Sequence, residues 1–181
     1  MIVTETKLKG CFILEPTVFE DDRGYFIESF NQKKFEMVLG NSIIFVQDNQ
    51  SYSRKGVIRA LHYQTGAHAQ AKLVRVLQGT VLDIAVDLRE GSPTFGEHVA
   101  LELSHENKKQ LFIPRGFAHG FVVLTDSAEF FYKCDNYYNG PSEGGIIFND
   151  STLAIDWKLP ETDLILSEKD RILPTLENAR L

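Results

Sequence analysis

Six side chains that can move protons or hold developing charge fall inside apolar stretches of this sequence. Arg59 and His62 lie in Val57–Gln64, and Lys72 opens the stretch Lys72–Leu77. Asp83 lies in Leu82–Leu88, His119 in Pro114–Phe121, and Tyr132 in Glu129–Cys134. A single histidine in an apolar strand is ordinarily a satisfied core residue. A histidine, a lysine and a tyrosine in successive strand regions suit acid–base chemistry. A neutral imidazole takes a proton, an ammonium stabilises a nascent oxyanion, and a phenol returns a proton.

The elements that must carry these groups are strands. Leu73, Arg75 and Leu77 alternate with Lys72, Val74 and Val76; Leu82, Ile84, Val86 and Leu88 alternate with Val81, Asp83, Ala85 and Asp87. This period of two is the strand pattern. Gln78-Gly79 between the two runs reads as a tight turn that makes them a hairpin. Further strands are expected over Ile43–Asn49, Val57–Tyr63, His98–Leu103, Gln110–Pro114, Gly120–Leu124 and Glu129–Cys134. Turn-forming residues separate them at Arg89–Pro93, Ser104–Asn107, Thr125–Ser127 and Asn139–Gly145. A short helix is expected from an Asn31 cap through Leu39, closed by Gly40, with Phe35, Val38 and Leu39 facing inward. A second starts at Ser167 and runs until Pro174. Short strands at intervals of roughly 8–12 residues, without strand–helix–strand alternation, predict one all-β domain over 1–181. Its expected form is an antiparallel jelly-roll sandwich or barrel with a few short helices. Strict alternation puts Arg59 and His62 on opposite faces, so either a bulge lies between them or one reaches around a rim.

Composition bounds the alternatives. The 181 residues (20.5 kDa) are 43% hydrophobic and 24% charged, which excludes a disordered tail, a collagen-like fibre and a disulfide scaffold. No apolar run approaches the roughly 18 residues of a membrane helix. Met1–Glu5 lacks the basic and apolar regions of a signal peptide, so a cytoplasmic protein is expected. A net charge of −6 argues against nucleic acid as a partner and leaves room for a local basic pocket for phosphate. Cys11 and Cys134 have no CxxC spacing and read as buried small hydrophobes.

The segment Pro114-x-Gly116-x-x-His119 resembles the second half of the cupin signature, a jelly-roll family that usually holds a metal with His, His, Glu and a later His. The first half departs from it. Lys72 stands at the position of the metal glutamate, and the usual His-x-His pair reads Gly66-Ala67-His68. A cation in place of a carboxylate opposes a divalent ion, so no metal is expected. His62, His68 and His119 as a three-histidine site is the competing reading.

A more specific resemblance covers about Cys11 to Asp170. It rests on Asp22–Glu28, Phe45–Asn49, Val57–Gln64, Lys72–Arg75, Asp83–Arg89, Ser92–Gly96, Ile113–Phe121, Tyr132-Lys133, Asn136–Tyr138 and Ser167–Asp170, in that order. Together these resemble the dTDP-4-dehydrorhamnose 3,5-epimerases, cofactor-free cupins of dTDP-L-rhamnose and cell-surface polysaccharide biosynthesis. The resemblance implies His62 as base, with Asp170 as its carboxylate partner; Asp83, on a neighbouring strand, is the competing partner. It implies Tyr132 as acid and Lys72 as the oxyanion-stabilising group. Contacts to the dTDP-sugar fall on Arg23, Glu28, Gln47, Asn49, Arg59, His119, Glu143 and Lys169. No cofactor is implied. A homodimer is implied, in which the N-terminal segment crosses to the partner; the aromatic and charged stretch Phe19–Phe30 would otherwise lie exposed. Ala60 stands where the family usually has glycine, and its methyl is expected to narrow the cavity slightly. Three other functions share parts of this pattern: a single-site epimerase of a related 4-keto-6-deoxy sugar, a metal-dependent cupin enzyme and a sugar-binding jelly roll without catalysis.

Overall fold

The computed structural model describes residues 1–40 and 43–181. The chain folds into β1 (Ile2–Glu5), β2 (Phe12–Glu15), β3 (Val18–Asp21), β4 (Gly24–Ile27), α1 (Gln32–Leu39), β5 (Gln47–Arg54) and β6 (Ile58–Gln64). Then follow β7 (Lys72–Gln78), β8 (Thr80–Asp87), β9 (His98–Ser104), β10 (Gln110–Ile113), β11 (Phe117–Val123), β12 (Ser127–Cys134), β13 (Glu143–Gly145) and α2 (Glu168–Arg171). One sheet has the order β1-β2-β10-β7-β12-β5, a second β13-β6-β11-β8-β9, and β3-β4 form a separate hairpin. All pairings within the sheets are antiparallel. Two facing antiparallel sheets are the jelly-roll sandwich expected of this strand pattern.

Period-two alternation sorts the side chains between three packed layers. Val74 and Val76 from one sheet meet Val81, Ala85, Phe117 and Phe121 from the other in the core between the sheets. The opposite face of the five-stranded sheet buries Ile58, Leu61, Ile84 and Val86 under Ile146, Phe148, Trp157 and Leu176. Phe35 of α1 packs with Leu14, Leu73 and Phe112 on the outer face of the six-stranded sheet. Asn31 caps α1 by accepting from Lys34 N, and Gly40 closes it in the left-handed conformation. Of its expected inward face, Phe35 is buried and Leu39 half-buried, but Val38 is 43% exposed. Phe35 and Leu39 share one stripe four residues apart, and Val38 stands to the side of it.

Other local expectations fail as well. β7 and β8 are not a hairpin: they belong to different sheets, and Gly79 (φ 77°) turns the chain through a corner between them. A Cβ there would come within 2.0 Å of the Ser127 carbonyl oxygen, so the corner accepts only glycine. The segment Ile43–Val46 is not strand. Ile43 and Phe45 pack on the outer apolar layer, and Val46 N donates to the Cys134 carbonyl, but ladder pairing starts at Gln47.

Candidate active site

A cavity of about 700 Å³ opens between the sheets at one end of the sandwich. Its walls carry Asn49 (β5), Arg59 and His62 (β6), Lys72 (β7), His119 (β11), Tyr132 (β12) and Glu143 (β13), with Lys169 and Asp170 of α2 closing one side. Three strands of the five-stranded sheet thus supply Arg59, His62, His119 and Glu143. The six-stranded sheet supplies Asn49, Lys72 and Tyr132.

A bulge explains how Arg59 and His62 reach the same cavity. In the β6–β11 ladder His62 pairs with His119 and Arg59 with Phe121, so Ala60 and Leu61 together oppose Gly120 alone. The extra residue restores the facing of the two polar side chains, while Ala60 and Leu61 both turn into the outer core. Gly120 permits the close approach: a Cβ on it would lie 2.6 Å from that of Ala60 and 2.8 Å from the Arg59 carbonyl oxygen. The Ala60 methyl therefore packs in the core behind the sheet and does not line the cavity, contrary to expectation.

Two imidazole–carboxylate pairs result. His62 Nε2 lies 2.7 Å from Asp170 Oδ1, and His119 Nε2 lies 2.9 Å from Asp83 Oδ2. Asp83 therefore serves the other histidine. The Ser167 hydroxyl caps α2 by accepting from Asp170 N at 3.1 Å, which aims this nearly buried carboxylate at His62. Ile58 N donates to Ile165 O and Ile165 N to Gly56 O, pinning the segment before α2 to the start of β6.

Burial sets the charges on the cavity floor. It pushes the Asp83 carboxyl above its ordinary value and the His119 imidazole below it, against their mutual attraction. Asp83 Oδ1 is buried without a hydrogen-bond partner. Desolvation likewise lowers Lys72, opposed by the fields of Cys134, Asp83 and Glu143. Burial, with Cys134 beside it, raises the Tyr132 phenol, so its proton stays on at neutral pH. The Cys134 thiol is pushed up to about 11 by burial and accepts from Asn49 Nδ2 at 3.7 Å.

At the mouth, Glu143 Oε2 accepts from the Tyr138 hydroxyl at 3.0 Å and pairs with Lys169 Nζ at 2.7 Å. These bonds outweigh the effect of burial and hold the Glu143 carboxyl below its ordinary value. Tyr138 is a site residue that residue-by-residue reasoning missed; the run Asn136–Tyr138 was its only signal. Gln47 does not line the cavity: it donates to Asn49 Oδ1 and accepts from Tyr138 N, and so positions both. Arg23 and Glu28 lie elsewhere, Arg23 on Asp21 in the β3–β4 hairpin and Glu28 on Lys34 and Asn31. His68 is exposed on the turn Gly66–His68, away from the cavity that His62 and His119 line, so the three histidines do not converge.

The family model described as dTDP-4-dehydrorhamnose 3,5-epimerase matches residues 5–178. The chain belongs to that family. The chain is 56% identical to the dTDP-4-dehydrorhamnose 3,5-epimerase of Escherichia coli K12 over 178 residues, covering 98% of this chain and 95% of that one. Among solved structures, the dTDP-4-dehydrorhamnose 3,5-epimerase of Elizabethkingia anophelis NUHP1 is 61% identical with a TM-score of 0.95, covering 98% and 97% of the two chains. The Legionella pneumophila dTDP-6-deoxy-D-glucose-3,5-epimerase in complex with dTDP-4-keto-L-rhamnose is 50% identical with a TM-score of 0.94, covering 98% and 93%. A 3'-monoepimerase of Streptomyces bikiniensis in complex with dTDP-quinovose is similar at 31% identity and a TM-score of 0.88, covering 95% and 86%. Family membership thus rests on sequence and fold together.

Proposed function

We propose that this chain epimerises dTDP-4-dehydro-6-deoxy-D-glucose at C3 and C5, forming dTDP-4-dehydro-L-rhamnose for dTDP-L-rhamnose biosynthesis in the cytoplasm. The observation that carries the mechanism is the origin of the two proton-transfer groups in opposite sheets. His62 comes from the five-stranded sheet and Tyr132 from the six-stranded sheet, on either side of one cavity. Inversion needs that arrangement, because the proton must leave one face of the carbon and return to the other.

A 4-keto group acidifies the C–H bonds at C3 and C5. His62, oriented by Asp170, takes one of these protons, and the electron pair moves into an enolate with its charge on O4. Lys72 places an ammonium where that charge develops. Tyr132 then donates its proton to the opposite face, and the same cycle at the second carbon completes the double epimer. One proton leaves and one returns at each carbon, so the balance requires no redox partner. Asn49, Arg59, His119, Glu143 and Lys169 hold the sugar nucleotide, the cationic members suiting its diphosphate. Double epimerisation is favoured over a single-site reaction by the greater identity to the 3,5-epimerases, 61% and 50%, than to the 3'-monoepimerase, 31%.

The reaction is tested by incubating the protein with dTDP-4-keto-6-deoxyglucose in heavy water and following it by NMR. Deuterium is expected at both C3 and C5. Label at C3 alone would establish the single-site reaction, and no label would remove the epimerase reading.

The working unit in this proposal is a homodimer. Arg23 and Glu28 would complete the partner's cavity, because the β3–β4 hairpin joins neither main sheet and exposes Phe19 at 61% and Phe26 at 67%. Light scattering is expected to give about twice the 20.5 kDa chain mass. A fully active monomer would refute this assembly.

A further inference from the structure

β13 is one edge of the five-stranded sheet and only three residues long, yet it carries Glu143 at the cavity mouth. An edge strand so short has few ladder bonds to hold it. The segment after α2 supplies others. Arg180 Nη2 donates to the Pro141 carbonyl at 3.0 Å and to the Glu143 carbonyl at 3.3 Å. The Arg180 carbonyl in turn accepts from the Tyr63 hydroxyl at 2.9 Å. Tyr63 is buried, and its ring lies so close to Gly144 that a Cβ there would come within 2.5 Å of it. The same segment is tied at Pro174, whose carbonyl accepts from Ile147 N at 2.8 Å, and at Leu176, whose N–H donates to Asp150 Oδ2 at 2.8 Å.

We infer that Arg180 is a positioning residue for the cavity mouth: by bracketing Pro141–Glu143 it holds the Glu143–Lys169–Tyr138 cluster where the ligand enters. One guanidinium nitrogen, Nη2, donates to both carbonyls, and the planar group holds it there with less freedom than a lysine ammonium on its flexible stem. These bonds end on backbone carbonyls of the mouth, not on His62, Lys72 or Tyr132, so the effect belongs to binding and not to the proton-transfer step. The kinetic part of the inference rests on the epimerase reading; the structural part does not.

The test compares Arg180→Ala and Arg180→Lys with wild type in the full chain. For Arg180→Ala, the dissociation constant for dTDP and the KM for dTDP-4-keto-6-deoxyglucose should rise together by about five- to tenfold, the size of one net hydrogen bond. kcat should stay within twofold, the thermal midpoint should hold, and hydrogen exchange at the amides of residues 143–145 should quicken. Arg180→Lys should recover part of each change. Tyr63→Phe, which cuts the opposite end of the latch, should move the same quantities in the same direction. Unchanged dTDP affinity and KM, a fall in kcat as large as the rise in KM, or unaltered exchange at 143–145 would overturn the inference. A wild-type protein without epimerase activity would instead overturn the proposed reaction, leaving the exchange measurement to decide on the latch.

Discussion

His62 and His119 stand opposite one another in the β6–β11 ladder, each with Nε2 on a carboxylate, and they differ in what surrounds them. The His62 side chain is 28% exposed into the cavity, and its partner Asp170 comes from a capped helical turn outside the sheets. The His119 side chain is 7% exposed, and its partner Asp83 is fully buried on the adjacent strand β8. The base of the proposed reaction must exchange its proton with solvent between turnovers, and of these two histidines the more exposed is His62. A buried pair closed off from solvent offers a fixed hydrogen-bonding surface. Similar pair geometry thus supports two roles, and burial separates them.

The strongest way to break this contrast is to remove each imidazole in turn. His62→Ala should lower turnover by about 10²–10⁴-fold at both carbons, since no proton leaves either without a base. His119→Ala should cost about tenfold, mostly in KM, as expected for one lost ligand hydrogen bond. Steady-state kinetics on the two variants checks this, and equal losses in kcat would erase the distinction.

Asp83→Asn sharpens the comparison with a smaller effect. Lys72 already sits below its ordinary pKa because of burial, and the Asp83 charge opposes that shift alongside Cys134 and Glu143. His62, Arg59, His119 and Tyr132 also face the cavity. Deleting the charge lowers the Lys72 pKa further, and the ammonium is lost as pH rises, so the alkaline limb of kcat should move to lower pH. The acid limb should stay in place. An unmoved alkaline limb in the pH profile would mean that Asp83 carries no charge that Lys72 feels.

Much of this was legible in the sequence, for physical reasons that can be named. The apolar–polar alternation of β7, β8 and β12 marks strands and places Lys72 and Tyr132 on interior faces, because one residue in two must point inward. Sheet membership was not legible at Gly79: a hairpin and a corner both need a glycine in the left-handed region, and β8 is buried on most of both faces. The Ala60–Leu61 bulge was visible only as a contradiction between spacing and chemistry, with Gly120 as its one marker in the partner strand. The Asp170–His62 contact joins residues 108 apart in sequence, and family resemblance alone had pointed to it. Arg23 and Glu28 lie outside the cavity of their own chain, a placement that no local pattern encodes.

The central claim is that base and acid act from opposite sides of the cavity, and Tyr132→Phe in heavy water tests it most directly. The substitution keeps the ring packed against Phe130 and deletes only the hydroxyl. One NMR time course then reads solvent exchange at C3 and C5 separately from inversion. Exchange needs only His62 and Lys72, so it should persist in part while inversion falls far more steeply. Loss of exchange and inversion in equal measure, or unaltered turnover, would contradict the assignment of Tyr132 as the acid across from His62.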